Sequence, residues 1–292
     1  MVVNLRTFEK SRRAVLARCG WMFHVFSFPG AVRTSLIFGF ALLVALCGSF
    51  APAQAQQATE APTYRKEFAY GINFNTNGGL IGGGMIRSTH LLTADMSRFW
   101  MVEVVEVKHP KEQRVQNPYT GGVYVFGKTN SAFVLRPSVG VQKVIFRKAP
   151  DSGVQINGLV GAGPSVALLL PYYIYYDYTK RDSQNRPISQ EDIRAEPYSP
   201  EKHRNEIFIY DHAPLFSGIN DLKPQVGAHV RGALTFEYGR YRDAIAGVET
   251  GFLFEAYTKP LLLIRALGTP DDQLNNRYFT SVYLTIYIGS RS

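Results

Sequence analysis

Apolar and polar residues alternate along most of the chain after residue 55, in segments of about ten residues. The segment QVGAHVRGALTFEYG, residues 225–239, shows the pattern: Val226, Val230 and Phe236 share one face, and His229 and Arg231 share the other. A period of two, bounded by Gly, Pro, Asn and Asp, indicates a β-strand with one buried face. No helical pattern of useful length accompanies it.

The same alternation predicts eight strands, at residues 68–75, 80–87, 98–108, 133–142, 155–168, 225–239, 244–257 and 278–289. The segments GGLIGGGMIR and VEVVEV fit the pattern least well. The adjacent valines Val104 and Val105 interrupt the alternation, which predicts a β-bulge there. Ten strands remain an alternative to eight.

The connections between the predicted strands alternate in length. Short ones at residues 88–97, 148–152 and 239–243 are interleaved with long ones at residues 108–122, 177–221 and 259–277. Short periplasmic turns and long external loops are typical of outer-membrane barrels. We therefore predict an all-β chain that folds as a closed, antiparallel, up-and-down transmembrane β-barrel of about eight strands.

The polar face of the predicted strands indicates which side points inward. It holds several glycines, among them Gly71, Gly161 and Gly247, which suit a crowded interior better than a solvated surface. It also holds positive and negative side chains that can neutralise each other in a narrow lumen. The predicted lumen charge network is Arg87, Glu103, Arg136, His229, Arg231, Glu237, Glu249 and Glu255.

Aromatic residues cluster near the predicted strand ends, where a membrane would place its headgroups. Along residues 167–187, ALLLPYYIYYDYTKRDSQNRP, aliphatic residues give way to tyrosines and then to charges, as expected of a strand that leaves a bilayer. The predicted interface girdle is Trp100, Tyr172, Tyr173, Tyr175, Tyr176, Tyr238, Tyr257 and Tyr278.

The first 55 residues have the pattern of a long leader. The apolar core at residues 35–47 is followed by Ala53-Gln54-Ala55, a small-x-small site for signal peptidase. We expect export by the Sec route with cleavage after Ala55, a short periplasmic tail at residues 56–66, and the barrel at residues 67–292. Met22 is an alternative start.

Charge and cysteine content restrict the function classes. The chain has a formal net charge of +9 and two cysteines, Cys19 and Cys47, both in the predicted leader. The leader itself carries six Arg or Lys and one Glu, so the remainder has a net charge of only 9 − 5 = +4. This mild charge does not favour a nucleic-acid partner, and the predicted mature chain has no thiol for a disulfide or a metal.

Segments such as FVLRPSVGVQKVIFRK, LLLPYYIYY and HAPLFSGIND resemble small outer-membrane β-barrel proteins of the OmpA/OmpX-like kind, and in particular uncharacterised barrels of Bacteroidota-type envelopes. The resemblance covers residues 68–289 and rests on pattern. It implies residence in the outer membrane of a Gram-negative-type bacterium, with outer-membrane lipid as a partner.

Candidate chemistry is sparse. His229 is interpreted as a hydrogen-bonded interior group instead of a catalytic base, and His203 and His212, beside Asp211, as solvated loop residues instead of a hydrolytic or metal site. GGLIGGG lacks the Lys-Ser/Thr and the helix of a phosphate-binding loop. We expect no catalytic, cofactor-binding or metal site.

The loop at residues 177–221 is far longer than ordinary connections, and loops beyond about 15 residues are usually functional or disordered. We therefore expect a non-enzymatic barrel that acts through its external loops or as a subunit of an envelope assembly, with an envelope protein bound at this loop. The alternatives are a lipid-modifying outer-membrane enzyme, a narrow pore, and a soluble secreted ligand-binding barrel.

Overall fold

The computed structural model describes residues 65–78, 82–147, 153–184, 186–238 and 244–292. The predicted leader lies outside these ranges, as does all but the last two residues of the predicted tail. Within them, the longest α-helix is α1 (Asp271–Leu274), and no helix has the length and apolar character needed to cross a bilayer.

Thirteen strands lie within the described ranges. In chain order they are β1 (Lys66–Asn75), β2 (Gly83–Leu91), β3 (Met96–Val107), β4 (Gln113–Gln116), β5 (Val123–Phe126), β6 (Asn130–Phe146), β7 (Val154–Pro171), β8 (Tyr173–Asp177), β9 (Ile193–Pro197), β10 (Ile209–His212), β11 (Lys223–Tyr238), β12 (Ala244–Tyr257) and β13 (Tyr278–Arg291).

Eight of these strands form a closed barrel in the order β1-β2-β3-β6-β7-β11-β12-β13, with β13 pairing back onto β1. Every barrel pair is antiparallel and joins strands that follow one another around the wall. The predicted all-β class, the closed up-and-down topology and the strand count of eight are therefore confirmed. Closure leaves no unpaired strand edge.

The turn between β2 and β3 is shorter than the predicted residues 88–97. β2 continues to Leu91, β3 begins at Met96, and the amide of Leu92 donates to the carbonyl of Met96 at 2.9 Å. Thr89 and Ser97 are buried although they are polar. The ends of these strands therefore lack the apolar alternation by which the sequence could reveal them.

The predicted β-bulge at Val104 and Val105 is wrong. β3 pairs with β2 and with β6 in an unbroken register, with Val104 facing outward at 48% exposure and Val105 inward at 1%. The alternation is regular, but the inward face changes from the charged Glu103 to the apolar Val105. This change follows from the interior, which becomes apolar towards the end of the barrel that carries the long loops.

Three layers of side chains fill the barrel. An apolar cluster that includes Phe99, Met101 and Leu159 lies towards the short turns. A layer of charged residues follows, which we call the ionic layer and describe below. Towards the long loops lies a second apolar cluster, to which β3 contributes Val105 and Val107.

The glycines on the inner face are sites of close approach by aromatic side chains. A Cβ at Gly247 would lie 2.6 Å from Oη of Tyr287, and one at Gly161 would lie 2.9 Å from Cζ of Phe99. Both distances are shorter than van der Waals contact. The aromatic rings of the interior therefore require glycine on the facing strand.

Two small sheets lie outside the barrel wall, in the long connections. β4 pairs with β5 in the connection between β3 and β6, and β8 pairs with β9 and β10 in the connection between β7 and β11. We call the second of these the loop sheet. Its apolar cluster contains Tyr124, Ile174, Tyr176, Tyr198 and Ile209. The predicted external loop at 177–221 thus contributes two strands, β9 and β10, to an ordered sheet.

Candidate functional site

Arg136 occupies the centre of the ionic layer. Its Nε and Nη2 donate to the two carboxylate oxygens of Glu255 at 2.8 and 2.6 Å, and its Nη1 donates to Oε2 of Glu103 at 3.2 Å. Glu103 Oε2 also accepts from Nη2 of Arg231 at 2.9 Å. These four side chains come from β6, β12, β3 and β11, so the contacts connect the wall across the lumen.

A second ion pair joins Arg87 on β2 to Glu249 on β12. The distance from Nη1 to Oε2 is 2.5 Å, and the other carboxylate oxygen accepts from Oη of Tyr283 at 2.8 Å. The guanidinium of Arg87 lies over the ring of Tyr287, 4.9 Å from its centroid. Cation and anion are thus both bonded in a region without bulk solvent.

A third group lies at the turn end of the barrel and joins the predicted lumen residue Glu237 to two residues that were not predicted, Glu67 and Arg291. Arg291 donates from Nη2 to Glu237 at 2.7 Å and from Nε to Glu67 at 2.8 Å. Glu67 and Arg291 lie at inward positions of β1 and β13. Continuing the period-two pattern to the ends of these strands would have identified them.

His229 is hydrogen-bonded through both ring nitrogens. Nε2 lies 2.7 Å from Oγ of Ser138, and Nδ1 lies 3.0 Å from Oγ of Ser165, which in turn donates to Glu255 at 2.8 Å. The ring is 2% exposed and lies between the two apolar clusters. This is the arrangement of an interior group that completes a hydrogen-bond network.

All eight side chains of the predicted lumen network are buried in the barrel interior. Burying charge without partners costs several kcal/mol per ion, so the layer depends on pairing. The contacts above bring together four arginines and five glutamates: Arg87, Arg136, Arg231, Arg291, Glu67, Glu103, Glu237, Glu249 and Glu255. These charged side chains, in the ionic layer and at the turn end, occupy the lumen instead of leaving it as an aqueous channel.

The connection at residues 258–277, which we call the plug loop, lies over the loop end of the lumen. Leu261 and Leu263 are 0% and 1% exposed and belong to the same apolar cluster as Val105. Asn275 holds the turn: its Oδ1 accepts from the amides of Leu263 and Ile264 at 2.8 and 3.0 Å. The apolar run PLLLI at 260–264 is the sequence signal for this insertion.

The loop sheet is fastened by a polar cluster around Glu196. Its Oε1 lies 2.8 Å from Nε2 of His203 and accepts from Oη of Tyr178, and its Oε2 contacts Nζ of Lys202. Partial burial opposes ionisation, but the hydrogen bonds from Lys202, Tyr178 and His203 outweigh it and lower the pKa of Glu196 to about 2. Glu196 is therefore a charged structural group at neutral pH.

The interpretation of His203 as a solvated loop residue is wrong. The residue is 1% exposed, and its Nδ1 accepts from the amide of Ser199 at 3.0 Å. It is buried because the loop sheet closes around it. His212 is exposed, as expected, and its Nδ1 lies 2.9 Å from Oδ1 of Asp211. Among the described residues, no three His, Cys, Asp or Glu side chains lie close enough together to hold a metal ion.

The residues of the predicted interface girdle differ in where their side chains lie. Trp100, Tyr238 and Tyr278 face outward, at 46%, 62% and 59% exposure. Tyr257 does not: it is 2% exposed, and its Oη donates to Glu255 at 3.2 Å. It occupies an inward position of β12, two residues after Glu255, so the period of two places it in the lumen.

The tyrosines Tyr172, Tyr173, Tyr175 and Tyr176 lie beyond the barrel wall, in and next to β8. Tyr176 is buried in the cluster of the loop sheet, and Oη of Tyr172 accepts from the amide of Val125 at 3.0 Å. These residues are therefore not a girdle on the wall. The sequence gradient after Leu170 arises because the chain leaves the barrel and enters a second sheet.

The outer face of the wall is apolar. Outward positions with exposures between 42% and 67% come from every barrel strand, and they include Phe68, Ile72, Ile86, Trp100, Val139, Val160, Val230, Phe252 and Ile286. A soluble barrel has the opposite distribution, with polar residues outside and apolar residues inside. Charge lies inside this barrel and apolar surface lies outside.

No protein-family model matches the chain, and no curated protein matches it in sequence. Among solved structures it is similar to Ail, the attachment invasion locus protein of Yersinia pestis, at 8% identity over 78% of this chain and 99% of that chain, with a TM-score of 0.33. Ail in complex with the heparin analogue sucrose octasulfate gives 10% identity, 78% and 99% coverage, and a TM-score of 0.32. Neisserial surface protein A, from Neisseria, is 7% identical over 78% of this chain and 97% of that chain, with a TM-score of 0.35. Similarity at this level assigns neither a family nor an activity to the chain.

Proposed function

We propose that this protein is a non-enzymatic outer-membrane β-barrel that acts through its external loops or as a subunit of an envelope assembly. The observation that carries the proposal is the reversed distribution of polarity, with apolar side chains such as Val139, Val160 and Phe252 on the outside and paired charges on the inside. Such a wall is stable where hydrocarbon surrounds it.

The loop end supports a role in binding. Long connections are usually either mobile or functional, and here they contain two additional sheets and a buried aromatic cluster. Large apolar side chains nevertheless remain exposed on them: Tyr119 at 76%, Ile188 at 68% and Phe216 at 62%. Apolar residues on an ordered scaffold are a common feature of protein-binding surfaces.

The filled interior argues against a pore and against a soluble ligand-binding barrel. Both alternatives need free volume inside the wall, and that volume holds the ionic layer and two apolar clusters. Eight-stranded barrels have an interior about wide enough for their own side chains.

Membrane residence is tested by fractionation. We expect the protein in the detergent-extractable membrane fraction, and we expect the unheated protein to migrate differently from the boiled protein on gels. Recovery in the soluble fraction after alkaline washing would refute the membrane assignment.

Action through the loops is tested by site-specific photocrosslinking in intact cells. A photoreactive residue at Tyr119 or Phe216 is expected to yield a discrete protein adduct. The matched control is Leu92, an equally apolar residue at 55% exposure in the short turn between β2 and β3. Adducts at Leu92 but not at either loop position would contradict the proposal.

A further inference from the structure

Basic side chains, which we call the cationic row, line up across neighbouring strands on the outer wall near the short turns. Lys66 on β1 is the cross-strand partner of His90 on β2, and His90 is the partner of Arg98 on β3. Lys143 on β6 lies one row further towards the turns, opposite Met96. All four lie on the outward face, Lys66, Arg98 and Lys143 exposed and His90 half-buried.

This row is not explained by the fold. Lys66 and Arg98 flank His90 on neighbouring strands, and among the described residues none of these four forms an ion pair with an acidic side chain. Asp95, in the adjacent turn, is paired with Arg147 at 2.5 Å. The row therefore leaves room for an anion supplied from outside the chain.

An apolar groove lies further towards the middle of the wall, one row of side chains beyond the cationic row. It has a volume of about 650 Å³, within the range of about 300–1,000 Å³ that is usual for small-molecule sites. The groove exists because Gly84 has no side chain between its cross-strand partners Ile72 and Val104. Tyr70 and Ile86 line it on the side facing the cationic row.

One row of side chains separates the cations from the groove. It consists of Phe68, Ser88 and Trp100, which are cross-strand partners on β1, β2 and β3. An indole and a hydroxyl between charge and hydrocarbon form the sequence of environments found at a membrane interface. Cations, interface residues and apolar groove thus follow one another along the same three strands.

We propose that this strip of the wall is a binding site for one anionic glycerophospholipid of the periplasmic leaflet. The phosphate contacts Lys66, His90 and Arg98, and one acyl chain lies in the groove at Gly84. The proposal rests on the proposed membrane function, because only an embedded wall presents the groove to acyl chains. The order of charge and groove fits an amphiphile, whereas a free phosphate would use the cations alone.

The only two tryptophans of the chain are Trp21 and Trp100, so the variant Trp21→Phe leaves Trp100 as a reporter beside the site. The full chain with this change is refolded into phosphatidylcholine vesicles. These contain, at equal mole fraction, either dibrominated phosphatidylglycerol or dibrominated phosphatidylcholine, and bromine quenches nearby indole fluorescence. We expect phosphatidylglycerol to quench Trp100 severalfold more effectively than its mole fraction predicts, and phosphatidylcholine to quench in proportion to it.

Variants in the cationic row and in the groove test whether the preference for phosphatidylglycerol arises at this strip of the wall. Arg98→Gln and Lys66→Gln are each expected to reduce the preference for phosphatidylglycerol by about fivefold, the usual effect of one cation at an anionic membrane surface. Gly84→Leu is expected to reduce it by filling the groove, since a Cβ there has no neighbour closer than 3.7 Å. Lys180→Gln, at an exposed position in the external loop, is the charge-matched control and should retain the preference.

Three results would overturn the proposal or its basis, and they can be told apart. Equal quenching by the two brominated lipids refutes the lipid site but leaves membrane insertion intact. A preference that survives both Arg98→Gln and Lys66→Gln refutes this location. Absence of quenching by either lipid, in a protein that migrates as folded on gels, refutes the membrane-spanning wall itself.

Discussion

Arg136 bonds two glutamates at once and is 1% exposed, so its removal would leave Glu255 and Glu103 short of partners in a dry interior. Breaking a buried pair by removing one partner typically costs about 3–5 kcal/mol. Replacing Arg231 would give a result that is harder to interpret, because its Nε is already buried without a hydrogen-bond partner and its removal would also relieve that cost.

We expect Arg136→Met to destabilise the detergent-folded barrel by about 3–5 kcal/mol. The matched control is Arg204→Met, an exposed loop residue whose replacement should change stability by no more than about 0.5 kcal/mol. Lys202 is unsuitable as a control because it contacts Glu196. The stability of both variants is measured as the urea concentration at the unfolding midpoint, with gel mobility as the readout. Equal midpoints would mean that Arg136 is solvated.

At the scale of single elements, the loop sheet depends on the polar cluster around Glu196. β9, which carries Glu196, pairs only with β8, and β8 also pairs with β10. Outside this pairing, the edge strand is held by the amide of Tyr198, which donates to the carbonyl of Tyr172 at 2.8 Å, and by the guanidinium of Arg194, which lies 5.3 Å from the ring centroid of Tyr178. The charge on Glu196 should therefore influence how firmly β9 is attached.

We expect the loop sheet to weaken in acid while the barrel persists. The pKa of Glu196 is lowered to about 2 in the folded protein, compared with about 4.3 for an unperturbed glutamate. Its contribution to stability is therefore complete above about pH 4.3 and is lost as the pH falls towards 2. Hydrogen exchange of peptides from residues 193–203, corrected for intrinsic rates, measures this loss.

The matched pair for this experiment is Glu196→Gln and Glu191→Gln. Glu191 is exposed, so its replacement should leave the pH dependence of the loop sheet unchanged. In the Glu196→Gln variant, the peptides from residues 193–203 should be weakly protected from hydrogen exchange already at neutral pH, and acidification should change this protection little. A parallel acid response of both variants would assign the effect to another group.

At the scale of the whole barrel, two apolar clusters and the ionic layer lie in series along the lumen, with the plug loop over one end. An ion crossing the barrel would have to displace Leu261 and then the bonded pair of Arg136 and Glu255. Each of these steps requires the loss of buried contacts that stabilise the fold.

We therefore expect no steady conductance when the purified protein is inserted into planar bilayers, under conditions in which a porin gives open channels. The physical reason is that the interior is occupied by its own side chains. Long-lived current steps that scale with salt concentration would contradict the filled lumen. Brief irregular steps during insertion would not count, because they do not persist.

The alternation of residue types did not predict the five strands outside the barrel, but it was sufficient to predict the eight barrel strands and to place charged side chains such as Arg136 and Glu255 on the inward face. These are local properties, because a period of two along one strand places each side chain on one face regardless of its neighbours. The same rule places Tyr257, Glu67 and Arg291 inside the barrel when it is followed to the strand ends.

Only the tertiary structure decided which charges meet and how the loop end is closed. Arg136 and Glu255 are 119 positions apart in sequence, and their contact depends on how the strands are staggered around the closed wall. The inward side chains of β3 change from the charged Glu103 to the apolar Val105, and Val105 packs in one cluster with Leu261 and Leu263 of the plug loop. The tyrosines after Leu170 look like a membrane girdle in the sequence, but pairing with β9 and β10 places them in the loop sheet. Each of these features depends on contacts between distant segments, which local periodicity does not encode.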